Sequence, residues 1–380
     1  MIRKSKIYKY LAFTFIISSV FGISVYSFLS NRHKAIVKTK LLYTLGLVDN
    51  HWEIGKQNLE YKMLSPTFLI DGIYKSMEGP KSSRYIQLSQ DDALLWITGF
   101  EVKAVDAKTN EKISKDFICH MNVDINDVNY YTNWDLNERI GKQYPRLTSL
   151  SNGFESYTYP EGYGIPIKGN DYLYITSQAL NHNFKSILKK IKHQITITHE
   201  KYDGSQKPLM SKTVFIQLPY NKNNPFEEPL SPGSNQCIPV ETKNHSYMDK
   251  EGNMLSGHWI VPKGKNIYHS SIDEQLDLQD SLRLHFSAIH VHPFATSIAL
   301  HDKTTNQNIF KSAISNYKDK IGLIKVTPFS SKEGIWLYAN HEYELILEVN
   351  NTSTVDQDMM GSMFLFFYDK ELDSKIKNSF

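Results

Sequence analysis

Three histidines lie close together in residues 282–296, LRLHFSAIHVHPFAT. In an extended strand, residues i and i+2 share a face. His290 and His292 are therefore expected on one side, continuing the apolar face of Leu284, while His285 points to the other side. Two imidazoles at this spacing can bind a transition metal. The same spacing also suits two hydrogen-bonded, half-buried histidines, so the motif alone leaves both interpretations open.

A methionine pair, Met359 and Met360, precedes the strongly apolar run FLFFY near the end of the chain. Thioether sulfur together with two imidazoles suits Cu(I), whereas Zn²⁺ prefers thiolate, imidazole or carboxylate. Methionines also fill gaps in hydrophobic cores, and that is our interpretation of Met363.

Two further histidines, His120 and His182, lie at predicted strand ends in the first half of the chain and could form a second centre. Alternation places Cys119 on the opposite face from His120. A buried or disulfide-bonded Cys119 is therefore at least as good an interpretation as a metal ligand. Its partner in an oxidising compartment would be Cys237, the second of the two cysteines.

Short segments rich in β-branched and aromatic residues alternate with turn residues along most of the chain. They predict an all-β fold with two antiparallel, jelly-roll-like β-sandwich domains in tandem, at residues 91–225 and 226–380. A lead-in segment at 34–90 precedes them, and the Pro/Asn/Gly/Ser-rich stretch at 221–236 indicates a linker. Helical periodicity is limited to residues 184–194, FKSILKKIKHQ.

The N-terminus combines basic residues with a long uncharged run at residues 10–30. This run is about the ~20 residues that a helix needs to cross a bilayer. It predicts that residues 1–33 are a transmembrane anchor with the body in the periplasm or extracellular space, since Arg3 and Lys4 favour a cytoplasmic N-terminus. The alternative is a cleaved signal peptide and a secreted protein.

The composition argues against nucleic-acid binding. The formal net charge is +3, and the sequence contains neither a Lys/Arg stripe interleaved with aromatics nor a Gly-rich phosphate loop. A Ser/His/Asp hydrolase elbow is likewise missing from the sequence.

The order of these residues resembles the copper type II, ascorbate-dependent monooxygenases, which include peptidylglycine α-hydroxylating monooxygenase and dopamine β-monooxygenase. The resemblance covers roughly residues 93–190 and 255–370, and its HVH…DMM…FLFFY half is the more specific. It implies two β-sandwich domains with one copper ion on each. The implied ligands are His290, His292 and Met360 (Met359 in the less favoured register) at the oxygen-activating copper, and His120, His182 and, in place of a family histidine, Cys119 at the electron-transfer copper.

The resemblance further implies hydroxylation of a C–H bond with O2, each copper supplying one electron from ascorbate or another one-electron reductant. The family's peptide-binding branch holds a substrate carboxylate through an Arg, an Asn and a Tyr. Here those positions are Ala288, Ser362 and Phe364. A small neutral or apolar substrate is therefore expected instead of a peptide carboxylate.

Two alternatives remain open from the sequence. One is a non-enzymatic, extracytoplasmic copper-binding or copper-handling protein that keeps only the His/His/Met site. A disulfide between Cys119 and Cys237 would favour it, because the thiol could no longer bind copper. The other is a β-sandwich adhesion or ligand-binding module whose histidines are incidental. The oligomeric state does not follow from the sequence.

Overall fold

The computed structural model describes most of the 380 residues. The described ranges are 2–142, 145–219, 252 and 255–379. The predicted linker at 221–236 and Cys237 lie outside them, and with Cys237 lies the proposed disulfide.

Helices are few, as the all-β prediction requires. In the part of the chain that the structure describes, the α-helices are α1 (Ile2–Phe28), α2 (Asn31–Thr44), α3 (Asp127–Asn133), α4 (Asp273–Leu276) and α5 (Lys370–Ser379). Within α1, Tyr8–Phe28 is long and apolar enough to cross a membrane, a test that a signal sequence also passes. The predicted N-terminal apolar helix is confirmed. Ser30 caps α2, its hydroxyl accepting from the amide of His33.

Strands make up most of the ordered structure and confirm the all-β prediction. The first half contains β1 (Glu53–Gln57), β2 (Glu60–Leu64), β3 (Phe68–Ile70), β4 (Lys81–Ile86), β5 (Leu94–Asp106), β6 (Ile118–Ile125), β7 (Arg146–Ser151), β8 (Ser156–Thr158), β9 (Tyr163–Lys168), β10 (Leu173–Ala179), β11 (Lys189–Lys201), β12 (Lys207–Phe215) and β13 (Leu218–Pro219). The second half contains β14 (Leu255–Ser256), β15 (Trp259–Val261), β16 (Gly264–Ser271), β17 (Leu282–Val291), β18 (Ala295–Asp302), β19 (Gln307–Asn316), β20 (Leu323–Val326), β21 (Phe329–Leu337), β22 (Tyr343–Asn351), β23 (Gln357–Met359) and β24 (Gly361–Tyr368).

The lead-in segment at 34–90 is more ordered than the sequence indicated, since it contains most of α2 and the strands β1 to β4. The helix indicated by the periodicity at 184–194 was wrong: β11 begins at Lys189 and pairs with β5 from Ile191 onward. Tertiary pairing overrides this weak local preference.

One large sheet contains strands from both halves of the chain. Its order is β1-β2-β11-β5-β9-β12-β24-β17-β21, with β3 added on β11 and β8 on β5. The junction is the antiparallel pair β12–β24, and the neighbouring pair β9–β12 is parallel. The sheet thus runs across the predicted boundary at residue 225.

Two smaller sheets cover the large one. The four-stranded sheet β4-β10-β6-β7 packs on the first-half strands, where the Ser177 hydroxyl on β10 meets His193 on β11. The five-stranded sheet β16-β22-β18-β19-β20 packs on the second-half strands, where Gly361 lies against Leu347 and Ile298.

From Leu284 onward, the pair β17–β24 is largely buried along both faces. One face, with Met363, turns to the five-stranded sheet. The other turns to the first half, where the Phe286 ring lies 4.7 Å from that of Tyr157. Because neither face meets solvent, β24 is almost uniformly apolar. His290 and Ser362, directly opposite each other, are a polar pair on the face that meets the first half.

A β-bulge at His285 interrupts the alternation expected for β17. Leu284 lies opposite Phe367, whereas Phe286 lies opposite Phe366, so Leu284 and Phe286 face opposite sides. Leu284 therefore does not share the face of His290, contrary to the sequence-based expectation. His285 stacks on the ring of Tyr163, with 4.1 Å between ring centroids.

His193 is fully buried between the two first-half sheets. Its Nε2 lies 3.1 Å from the carbonyl oxygen of Phe117, which can only accept, so Nε2 carries the proton. Nδ1 then accepts from the Ser177 hydroxyl at 2.6 Å. Burial lowers the pKa of His193 from 6.5 to about 4.

The stability of the fold is therefore expected to depend on pH through His193. Between pH 6.5 and about 4 the unfolded chain binds a proton at this histidine and the folded chain does not, so stability falls as pH falls through this window. His193→Gln, which keeps a donor and an acceptor, should lose less stability on acidification. Urea unfolding of the full chain in detergent at pH 7.5 and pH 5 measures this, with the exposed His269→Gln as control. An equal loss in all three proteins would contradict it.

Candidate metal centre

Residues that the sequence assigned to two separate centres line a single pocket. Cys119 and His182 come from the first half, and His290 and His292 come from β17 and the residue after it. The pocket measures about 30 Å³, enough for an ion or a water molecule and little more. It lies between the large sheet and the first-half elements that cover it.

Three side chains beside the pocket bring their nitrogen and oxygen atoms within 4.8 Å of one another: His258, His292 and Asp358. Of the three, His292 also lines the pocket. Asp358 Oδ2 lies 3.0 Å from His292 Nδ1 and 3.4 Å from His258 Nε2. Both imidazoles are almost completely buried. Among the described residues this is the one group of three such side chains gathered so closely.

Strand pairing brings Met360 into the same neighbourhood. In β15–β23, Trp259 lies opposite Met359, so His258 and Met360 come next in that register. In β17–β24, Val291 lies opposite Gly361, so His292 and Met360 come next there as well. Met359 is completely buried, on the opposite side of β23 from Asp358.

The Asp358 carboxylate is held in its charged form. Burial raises its pKa, but the charges and hydrogen bonds of His292 and His258 outweigh burial and hold the pKa well below its usual range. A carboxylate that stays ionised between two imidazoles presents a negative oxygen to any cation there.

The remaining pocket imidazoles are held neutral. Burial lowers the pKa of His182 to about 4, with Asp358 and His292 as the nearest charges. Burial, followed by His292 and His120, lowers the pKa of His290 well below 6.5. A neutral imidazole keeps a lone pair for a metal. Among the described residues, Nδ1 of His290 is buried and makes no hydrogen bond.

Cys119 reaches the pocket because of a second β-bulge. His120 lies opposite Gln178 and Ile118 lies opposite Ala179, which leaves Cys119 as the extra residue of β6. A bulge re-aims the side chain that it inserts. The simple alternation that separated Cys119 from His120 therefore does not apply. His120 is buried on β6, close enough to His290 to influence its pKa.

A tight turn supports the other nitrogen of His292. His292 Nε2 lies 3.2 Å from the Ser76 hydroxyl, and the turn closes where the Glu78 amide donates to the carbonyl of Lys75 at 3.1 Å. Met77 adopts a left-handed φ of 64° in this turn. Gly79 follows with no room for a side chain, because a Cβ there would lie 2.0 Å from the carbonyl oxygen of Ala179.

The contacts Ser76–His292–Asp358 also have the connectivity of a nucleophile, a base and an orienting carboxylate. The second imidazole on the same Asp358 oxygen, that of His258, has no function in such a triad and is expected in a metal site. When a metal occupies Nδ1 of His292, Nε2–H can donate to Ser76, which is the usual outer hydrogen bond of a histidine ligand.

Residues 320–323 of the second half cover the pocket and contact the first half. Lys320 forms an ion pair with the buried Asp116 at 2.6 Å. The Leu323 amide donates to Asn152 at 2.7 Å, and Ile321 exchanges hydrogen bonds with Asn183. The pocket therefore depends on contacts between distant parts of the sequence.

Sequence reasoning missed three of these residues. His258, Asp358 and Ser76 were not assigned to any site. The detectable signal was the i, i+2 spacing of Asp358 and Met360, which places a carboxylate and a thioether on one face of a strand. Ser76 carries no such signal, because its contact with His292 spans 216 residues.

Two of the substrate positions expected from the resemblance lie in the core. Ala288 and Phe364 are a directly opposed pair in β17–β24, and both are buried. Ser362, the third, is buried opposite His290. None of the three is among the residues that line the pocket.

No family model and no curated protein matches this chain. Solved structures with partial likeness include a recombinant peptide: N-glycanase F (PNGase F), 8% identical over 80% of this chain and 95% of that chain, with a TM-score of 0.33. A PNGase F structure described as a glycosylasparaginase from Flavobacterium meningosepticum is 9% identical over 80% and 96%, also with a TM-score of 0.33. The major capsid protein P2 from bacteriophage PM2 is 10% identical over 80% and 97%, with a TM-score of 0.30. Likenesses this weak support no statement about function.

Proposed function

We propose that the chain is a membrane-anchored, extracytoplasmic metalloprotein that binds one transition-metal ion through His258, His292 and Asp358. The observation that carries the proposal is the convergence of their three ligand atoms within 4.8 Å of one another, beside a pocket that His292 lines. Two imidazoles and a carboxylate with open positions form a ligand set used for catalytic Zn²⁺ and non-haem iron, and imidazole also suits copper.

The distances between the ligand atoms support this proposal. A metal bound about 2.0–2.2 Å from each ligand separates neighbouring ligand atoms by roughly 2.9–3.4 Å, for octahedral to tetrahedral angles. The two distances from Asp358 Oδ2, 3.0 Å to His292 and 3.4 Å to His258, fall in that range. The site could accept a metal with little rearrangement of these three side chains.

The chemistry of such a centre would be supplied by the metal, and the chain's residues would bind and orient it. The Ser76 hydroxyl would fix the His292 ring, and the neutral imidazoles of His182 and His290 would line the space next to the ion. A small substrate group would enter that space.

Copper is the metal that the sequence favours, and the register of Met360 supports retaining it. A thioether beside His258 and His292 would stabilise Cu(I). The ligand set proposed from the sequence was His290, His292 and Met360. In the revised set, His258 replaces His290 and Asp358 is added.

A two-copper monooxygenase is the second candidate. It is favoured by one observation: Cys119 and His182, expected at an electron-transfer copper, line the same pocket as His290 and His292. Against it, these four residues from both expected ligand groups share a pocket of about 30 Å³, which favours a single ion. This second candidate also requires ascorbate or another reductant and O2 as co-substrate. It includes the tandem β-sandwich domains predicted at 91–225 and 226–380.

Loss of one ligand is expected to abolish tight metal binding. In the full chain purified in detergent, His258→Ala and Asp358→Asn should each weaken Co²⁺ binding more than about 100-fold, since even outer-shell changes at metal sites cost about 10–100-fold. Visible absorption of bound Co²⁺ measures this. The control is His269→Ala, which removes an exposed histidine that also contacts a carboxylate, Glu344, at 3.2 Å. Unchanged Co²⁺ binding in both variants, or labelling of Ser76 by a fluorophosphonate, would contradict the metal proposal.

The two methionines should differ in their effect on copper. Met360→Ala is expected to weaken Cu(I) binding about tenfold, because it removes a soft ligand, whereas Met359→Ala should lower thermal stability and leave Cu(I) binding nearly unchanged. Competition with a coloured Cu(I) chelator measures the affinity. The reverse ranking would show that the register is wrong.

Metal content separates the two candidates. The full chain loaded under mild reduction should contain one copper per chain and show no ascorbate-dependent O2 uptake if it holds a single non-oxygenase centre. Two coppers per chain with ascorbate-dependent O2 uptake would instead establish the monooxygenase. Elemental analysis and an oxygen electrode give both readings on one sample.

A further inference from the structure

The membrane-spanning candidate leads directly into a helix that is docked on the body. Only two residues separate Phe28, the end of α1, from Asn31, the start of α2. Within α2, Ala35 is buried and Lys38 forms an ion pair with Asp71 at 2.5 Å and a hydrogen bond with the Tyr74 hydroxyl. The start of the body is thereby fixed close to the end of α1.

This docking site is directly connected to the metal pocket. Tyr74 and Asn181 exchange backbone hydrogen bonds of 2.8 and 3.0 Å. His182 follows Asn181, and Ser76 lies two residues after Tyr74; both line the pocket. On the other side of the turn, the Glu78 carboxylate accepts a hydrogen bond from Asn31. It also lies close enough to Asp358 for the charge of Asp358 to raise its pKa. The pocket therefore lies within a few side chains of the first residue of α2.

An exposed apolar surface with lysines surrounds this end of the molecule. We call it the interfacial surface, and it consists of Ile36, Val37, Leu41, Leu45, Leu47, Phe184 and Leu188, each at least 42% exposed. One part of this surface comes from α2 and the residues that follow it, and the other part is Phe184 and Leu188. The two parts are joined where the Lys190 ammonium donates to the carbonyl of Leu47. Lys40 and Lys185 are exposed among these apolar residues.

A bilayer is the occupant that this surface fits. Apolar side chains interspersed with lysines are typical of segments that lie in the membrane interface, with the lysine heads near anionic lipid. The surface continues from α1, the segment with the length and composition to cross the membrane. Phe184 and Leu188 belong to the loop that begins with His182.

We infer that the metal pocket opens at the membrane surface and that its substrate is a membrane-borne amphiphile with an anionic head group. The substrate part of this inference rests on the proposed metal centre. A pocket of about 30 Å³ admits a single reactive group, so most of any substrate must remain outside it. Beside the pocket, the interfacial surface would hold the remainder of an amphiphile with its chains in the bilayer.

Membrane contact is tested by fluorescence quenching in the full chain. Leu188→Trp and the control Ile267→Trp, both at exposed apolar positions, are placed in nanodiscs with and without lipids brominated near the head group. The added emission of Leu188→Trp should fall at least about twofold in brominated lipid, because an interfacial side chain lies within about 5–10 Å of the acyl boundary. That of Ile267→Trp should not change. Equal quenching of the two variants would overturn the membrane orientation.

Substrate class is tested on the full chain loaded with Co²⁺. Short-chain phosphatidylglycerol should change the Co²⁺ absorption spectrum, whereas glycerol 3-phosphate at the same concentration should not. An equal change with glycerol 3-phosphate, or no change with the lipid, would overturn the amphiphile. If Co²⁺ does not bind at all, the proposed metal centre fails, while the quenching experiment still decides the membrane orientation.

Discussion

The antiparallel pairing of β17 with β24 is the constraint on which the rest of the structure depends. It lies between β12 and the edge strand β21 of the large sheet, with the five-stranded sheet on one face and the first half of the chain on the other. A strand buried on both faces can tolerate polar residues only where a partner or a pocket meets them. His290 and Ser362 occupy such a place. Where the pairing ends, His292 and Met360 follow side by side, and His292 lines the pocket.

Asp358 places a negative charge at that end of the sheet. Taking a carboxylate out of water costs several kcal/mol unless it is paired and hydrogen-bonded. Two imidazoles share one of its oxygens and hold the pKa of this carboxyl well below its usual range. The proposed ion would therefore bind to an oxygen that already carries negative charge.

The sequence predicted the strands better than it predicted their neighbours. The β-branched and aromatic runs identified β17 and β24 closely, because burial of both faces leaves a strong compositional signal. His290 and His292 were recognised because their spacing is local. Ser76 and His258 were not, since their contacts with His292 and Asp358 depend on pairing over long sequence separations. The positions of Cys119 and Leu284 were misjudged for a third reason: a bulge adds one residue to a strand, and alternation in the sequence does not reveal it.

The shared sheet has a consequence for how the chain holds together. β12 precedes residues 220–251 in the chain and pairs with β24 near the C-terminus. In addition, Arg139 forms a bidentate ion pair with the buried Asp369. A protease cut between β13 and β14 would sever the backbone without separating the pieces, because each fragment contributes strands to the same sheet. Split at that point, the protein should behave as two complementing fragments: each would be poorly soluble alone, and together they would rebuild the pocket.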